Sequence, residues 1–81
     1  MNAHVYYGLK FGKLVITLAE AAPELGIEVA TAHNQIGANK FPLPTRKLGK
    51  NRVVDIRDLA DYIDSQRASA RECFTTKFQS L

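Results

Sequence analysis

The segment Phe41-Pro42-Leu43-Pro44 divides this chain into two parts that cannot share one element of secondary structure. Each proline lacks an amide hydrogen and pushes the residue before it toward extended geometry, so neither a helix nor an inner strand can run through the segment. An element on its N-terminal side must end near Lys40, and one on its C-terminal side must start afresh at Thr45. The chain has only 81 residues. Halves of that size are too small to hold separate cores, so both must bury their apolar faces in one, with Phe41 and Leu43 pinning the bend to it.

The part before the bend reads as two short helices. Leu14, Val15 and Ile16 form a brief strand or an extended lead-in. Thr17 and Glu20 then have the spacing of a capping box, which predicts a first helix from Leu18 to about Leu25 that buries Leu18, Ala21, Ala22 and Leu25. Pro23 lies beyond the first turn, so this helix must be short or bent. Gly26 supplies a stop. A second helix comes next over residues 28–38, with Val29, Ala32 and Ile36 inward and Thr31, Asn34 and Ala38 outward. Glu28 and Gln35 fall on one flank, and His33 falls near the edge of the buried face. Two short helices joined through a glycine are a helix-turn-helix unit, and its second helix is the one that reads.

The part after the bend begins with a hairpin. Thr45–Leu48 and Arg52–Asp55 read as two strands joined by Gly49-Lys50-Asn51, a three-residue turn. Charge is concentrated here. Lys40, Arg46, Lys47, Lys50, Arg52 and Arg57 face one acid, Asp55, a local excess of +5 in a chain whose net charge is +3. The rest of the chain is therefore net acidic. A basic hairpin beside a helix-turn-helix is a wing whose cations can neutralise phosphates and release their counterions. The competing reading is a solvated hairpin that carries its charge for solubility.

Asp55 and Asp58 then have the spacing of an N-cap and an acidic third position, and open a third helix from about Ile56 to Ser65. Ile56, Leu59, Ala60 and Ile63 share its inner face. Asp58, Asp61 and Asp64 form an acidic side that DNA would avoid, which orients the domain. The tail, residues 66–81, either extends this helix or packs on a second copy of the chain, with Ala70, Phe74 and Phe78 as an i, i+4 stripe and Phe74 and Phe78 as oligomerisation residues. Tyr6, Tyr7 and Phe11 in the N-terminal arm, residues 1–13, raise the same question. The expected organisation is that arm, a DNA-binding domain over 14–65, and the tail. Its fold class is α+β, mostly α: a small winged helix-turn-helix with three helices and a two-stranded basic hairpin.

Several classes of function are disfavoured. A lone Cys73 with His4 and His33 has no metal-ligand spacing, so no metal and no cofactor is expected. His33 has no evident nucleophile or carboxylate beside it, and a partly buried histidine at the core edge is the better reading, so an enzyme is not expected. The N-terminus has no secretory pattern and no apolar run approaches membrane-spanning length, which places the chain in the cytoplasm, away from membranes. Double-stranded DNA is the partner that the patch fits. Thr31, Asn34 and Gln35 would contact bases, with a preference for A·T pairs because Asn and Gln match the adenine edge. Lys40, Arg46, Lys47, Lys50 and Arg52 would hold phosphates, with Asn51 at the wing turn.

Three blocks carry a resemblance: Lys13-Leu14-Val15-Ile16-Thr17-Leu18, then Phe41-Pro42-Leu43-Pro44 with Arg46, then Val54-Asp55-Ile56-Arg57-Asp58-Leu59-Ala60-Asp61-Tyr62-Ile63-Asp64. Together they are similar to the pyocin activator PrtN family and, more broadly, to the MerR-like winged helices of AlpA-type activators and excisionases. The resemblance implies a small DNA-binding protein of a prophage, bacteriocin cluster or mobile element. The expected partners are double-stranded DNA, further copies of the chain as a homo-oligomer on that DNA, and RNA polymerase or an integrase. A transcriptional activator is the first expectation. An excisionase that bends attachment-site DNA is the second, and a protein-binding anti-repressor using Phe74 and Phe78 is the alternative from another class.

Overall fold

A computed structural model describes residues 2–79, with side chains through Phe74. Seven elements succeed one another: α1 (Ala3–Phe11), β1 (Val15–Thr17), α2 (Leu18–Glu24), α3 (Val29–Gly37), β2 (Arg46–Leu48), β3 (Asn51–Asp55) and α4 (Ile56–Gln79). They form the expected mostly helical α+β domain, a helix-turn-helix followed by a hairpin and a closing helix. To the expected outline the structure adds a helix at the N-terminus, and of the two readings of Leu14-Val15-Ile16 it takes the strand, Val15–Thr17, which joins the hairpin as a third.

The local signals around α2 work as their chemistry dictates. Thr17 Oγ1 accepts the Glu20 amide at 3.2 Å, and Glu20 Oε1 accepts the Thr17 amide at 3.0 Å, closing the capping box. Those bonds hold the Glu20 carboxyl below its ordinary pKa, with Lys13 3.2 Å away assisting. Pro23 is accommodated by brevity: the helix ends at Glu24, one residue later. Gly26 takes the left-handed conformation, φ 75°, and turns the chain toward α3. Asn39 does the same after α3, with φ 59°, an angle that asparagine tolerates better than other residues with a side chain.

β1 joins the hairpin in one antiparallel sheet of order β1-β3-β2. Ile16 pairs with Val54, and both are almost wholly buried. The turn is tighter than expected. Leu48 pairs directly with Asn51, so Asn51 is a strand residue and the loop is Gly49-Lys50 alone. Gly49 has φ 63° and Lys50 is not among the positive-φ residues, which fits a two-residue hairpin with glycine at its first central position.

The core lies where α2, α3, the sheet and the first turns of α4 meet. Ala21, Ala22, Ala32, Leu59 and Ala60 are completely buried, with Ile16, Leu18, Leu43 and Ile56 around them. Four alanines at the centre let helices approach closely, so the domain depends on contact between backbones as much as on side-chain volume. Leu43 is buried and Phe41 packs on the cluster, so the proline segment is pinned as its two apolar residues require.

α1 occupies most of the N-terminal arm and packs along α4. Tyr7 is buried, and Ala3 and Phe11 flank it on the same stripe. Tyr7 and Phe11 stack with centroids 6.1 Å apart, and burial raises the Tyr7 hydroxyl pKa. His4 Nε2 lies 2.7 Å from Asp61 Oδ1, and Lys10 Nζ donates to Glu24 Oε2 at 2.6 Å. The two aromatics thus contact their own chain. α4 continues far beyond Ser65, as one of the two readings of the tail allowed, and every residue from Asp64 to Phe74 is exposed.

Candidate nucleic-acid interface

The candidate surface begins with α3. Ala32 is fully buried, and Val29 and Ile36 pack against the core, which fixes the rotation of the helix. Thr31, Asn34 and Ala38 are accordingly exposed, together with Ala30 and Gly37. Within α3 no side chain carries a carboxylate, ammonium or guanidinium. Its outward face is small, polar and shallow enough to sit deep in a groove, with Asn34 as its longest amide.

One residue of this helix differs from expectation. His33 is exposed, not partly buried, because nothing packs over its flank beyond Ala32. Gln35 is half-buried on the opposite flank, where the chain folds back after the helix. The Lys40 amide donates to the Gln35 carbonyl at 2.7 Å, and the Gln35 side chain borders a depression with Leu25, Ile27, Lys40, Pro42 and Tyr62. Gln35 therefore stands at the rim of the face that Thr31 and Asn34 occupy. Glu28 caps α3 without a side-chain hydrogen bond and is exposed. It puts a carboxylate at the entry to α3, on the flank that it shares with Gln35.

The wing is built next to this helix. A cleft lined by Ile36, Asn39, Phe41, Leu43, Pro44, Thr45 and Arg52 runs from the end of α3 to the hairpin. Arg52 is half-buried there, and its guanidinium donates to Thr45 Oγ1 at 3.1 Å. The register places Lys47 opposite Arg52, so both project from the sheet face that looks toward α3. Lys47, Lys50 and Lys40 are exposed. Arg46 takes the other face, beside Asp55 and Asp58 in a shallow depression, where its charge is partly answered. Asn51 shares that face with Leu48, its cross-strand partner.

At the wing base one charge pair is closed. Arg57 donates from Nε at 2.9 Å and from its terminal nitrogen at 2.6 Å to the two oxygens of Asp55, while the Arg57 amide donates to Asp55 Oδ1 at 2.8 Å. Asp55 is thus the N-cap of α4, as the spacing predicts, and also a fork for Arg57. The Arg57 side chain, helped by the amide bond and more weakly by Arg46, pulls the Asp55 carboxyl down to about 2 against the opposing effect of burial. Arg57 is therefore engaged inside the domain. The local excess of +5 rests on Lys40, Arg46, Lys47, Lys50 and Arg52.

Of the expected acidic side, Asp58 is instead half-buried beside Arg46, and only Asp61 and Asp64 stand apart from the wing. Asp61 faces α1 through His4, and Asp64 lies on the exposed stretch of α4. Phe74 is 63% exposed on that stretch, and the side chain of Phe78, the other expected oligomerisation residue, lies outside the described residues.

The family model described as pyocin activator protein PrtN matches residues 9–70, about three quarters of the chain. The chain belongs to that family. The match spans the end of α1, the whole helix-turn-helix, the wing and α4 as far as Ala70, so the pyocin activator family covers every element of the surface just described. Comparison with curated proteins and with solved structures found no match. Among the described residues no helix is long and apolar enough to cross a membrane.

Proposed function

We propose that this chain is a sequence-specific DNA-binding activator of transcription of the phage type. α3 enters the major groove, where Thr31 and Asn34 meet base edges and Gln35 contributes from the rim. The wing lies along the backbone. Lys40, Lys47, Lys50 and Arg52 hold phosphates, with Arg46 contributing from the far side of the sheet. The observation that carries the proposal is the adjacency of an uncharged, exposed helix face and a hairpin bearing the basic excess, in a chain of the pyocin activator family. A surface meant only for solubility would distribute its charge. This one leaves the helix neutral and places cations on the flank where phosphates run beside a groove.

Footprinting on the DNA flanking its own gene, combined with a reporter fused to the protected promoter, tests the reading. A protected site rich in A·T pairs and a rise in reporter output with the intact chain are expected. If two copies bind side by side, the site should contain half-sites about 10 base pairs apart or a multiple of it. Absence of protection at physiological salt would refute DNA binding, and protection with a fall in output would refute activation.

A further inference from the structure

The tip of the wing carries an apolar side chain with no role in the fold. Leu48 is 62% exposed and does not belong to the core cluster, nor does it pack against it. Its cross-strand partner is Asn51, and pairs in register project from the same face. Leu48 and Asn51 therefore form an apolar-plus-amide face at the tip, while Lys47 and Arg52 form a basic face on the other side. Lys50, in the turn itself, adds a third cation. Isolated exposed leucines are common on protein surfaces. What sets this one apart is its setting: a leucine beside an amide donor on a narrow projection, with Lys50 in the turn and Lys47 and Arg52 on the opposite face.

We propose that Leu48 and Asn51 enter the minor groove next to the one read by α3, with Leu48 wedged against a base step and bending the duplex. This rests on the DNA-binding reading above and adds to it a mode of contact and a deformation. Three physical points support it. First, the groove floor at A·T pairs offers only acceptors, adenine N3 and thymine O2, so an asparagine amide is a matching donor where a carboxylate would be repelled. Second, the tip of a two-residue hairpin is the narrowest part of the wing, so its side chains are the ones that can reach into a groove about 6 Å wide. Val53, at the wing base, is buried, and Lys50 lies three residues further out, roughly 10 Å at the rise of an antiparallel strand. Third, Lys47 and Lys50 place positive charge beside the groove walls, which are lined by phosphates, so the tip is drawn to the groove and its apolar side chain is carried in with it. Apolar wedges of this kind kink DNA by roughly 20–90°.

The test uses the full chain and a 30-base-pair duplex selected by it from a randomised library, with dyes at both ends for energy transfer and 2-aminopurine at a flexible pyrimidine–purine step. Intact protein should shorten the end-to-end distance and raise 2-aminopurine fluorescence. Leu48→Ala should bind roughly 3–10-fold more weakly, lose more than half of the bend and all of the fluorescence rise, and keep the salt dependence unchanged. Leu48→Phe should restore both signals. Lys47→Ala should do the reverse, lowering the salt slope by about one while the bend persists. Because Leu48 is exposed, each variant should melt with the intact chain, and melting curves check this. A duplex left straight by intact protein, or bent equally by Leu48→Ala, overturns the wedge while the DNA-binding reading stands. Failure of the selection to yield any duplex overturns both. A dimer dissolved by Leu48→Ala with the bend intact would place Leu48 between copies of the chain and also overturn the wedge.

Discussion

α3 and the wing stand side by side, yet the sequence treats them in opposite ways. α3 exposes the side chains of Ala30, Thr31, His33 and Asn34 and carries no carboxylate, ammonium or guanidinium, and its rotation is fixed by a fully buried alanine. The wing exposes Lys47, Lys50 and Arg46, and beyond Val53 no residue of it is buried. One element is neutral and packed on the core along its length, the other charged and held only at its base. On the proposed reading, the contrast separates two tasks in a very small domain. Affinity would come from cations that need only approximate positions, because phosphate attraction is long-ranged and not directional. Discrimination would come from hydrogen bonds that require a fixed backbone, which the alanine-rich core would supply.

If that division holds, substitutions on the two elements must fail in different ways. The largest effect belongs to the wing. Lys47→Ala with Lys50→Ala should lower affinity on the order of 100-fold at physiological salt, equally for cognate and scrambled duplexes, and reduce the salt slope by about two. Titration of both duplexes at several salt concentrations measures this, and a loss confined to the cognate duplex would assign base reading to the wing lysines. A smaller and selective effect belongs to α3. Asn34→Ala should cost about 1–3 kcal/mol on the cognate duplex and almost nothing on the scrambled one. Equal loss on both would make Asn34 a phosphate contact.

The smallest effect concerns the joint between wing and α4. Asp55 has its pKa lowered in the folded state to about 2, from an ordinary 3.8, so the carboxylate contributes stability above about pH 4. That contribution declines as pH falls from 4 and is gone below about pH 2. The pair is partly solvated, with the Arg57 side chain 61% exposed, so screening reduces its worth to about 1 kcal/mol. Asp55→Asn should lower stability by that amount at pH 7 and flatten the acid limb of the stability curve, as read by denaturant unfolding at pH 7, 4 and 2. An unchanged limb would show that the Arg57 fork contributes nothing.

The elements that could be read from the sequence were those with a local chemical signature. Thr17 with Glu20, Gly26, the two prolines and Asp55 each satisfy a backbone group or set a backbone angle within a few residues, so their consequences needed no tertiary information. The Lys and Arg cluster could be placed for a similar reason, since charge on a hairpin tip has nowhere to be buried. Most of what escaped was decided by packing; α1 is the exception, since its ends carry local signals. α1 is capped by Asn2, whose side chain accepts the Val5 amide at 2.9 Å, and stopped by Gly12 at φ 65°. Its inner stripe of Ala3, Tyr7 and Phe11 was masked by Val5, Tyr6 and Leu9 on the other sides. Gln35 and His33 lie on the two flanks of one helix, and only the fold-back at Lys40 covers the first and leaves the second open. Arg46 faces Asp55 and Asp58 through a strand register that depends on the true turn length, and counting Asn51 into the turn hides that register. The same miscount hides Leu48 as the partner of Asn51.

The central claim is that a neutral helix reads while a charged wing holds, and the salt dependence of intact protein on two duplexes tests it most directly. Plotted as log K against log salt, the selected duplex and its scrambled counterpart should give parallel lines of slope roughly −3 to −5, separated by a gap that salt does not change. Parallel lines mean that the same phosphates are held in both complexes and that the gap comes from uncharged contacts. A slope near zero, or a gap that closes as salt rises, would show that charge does the discriminating and would contradict the account.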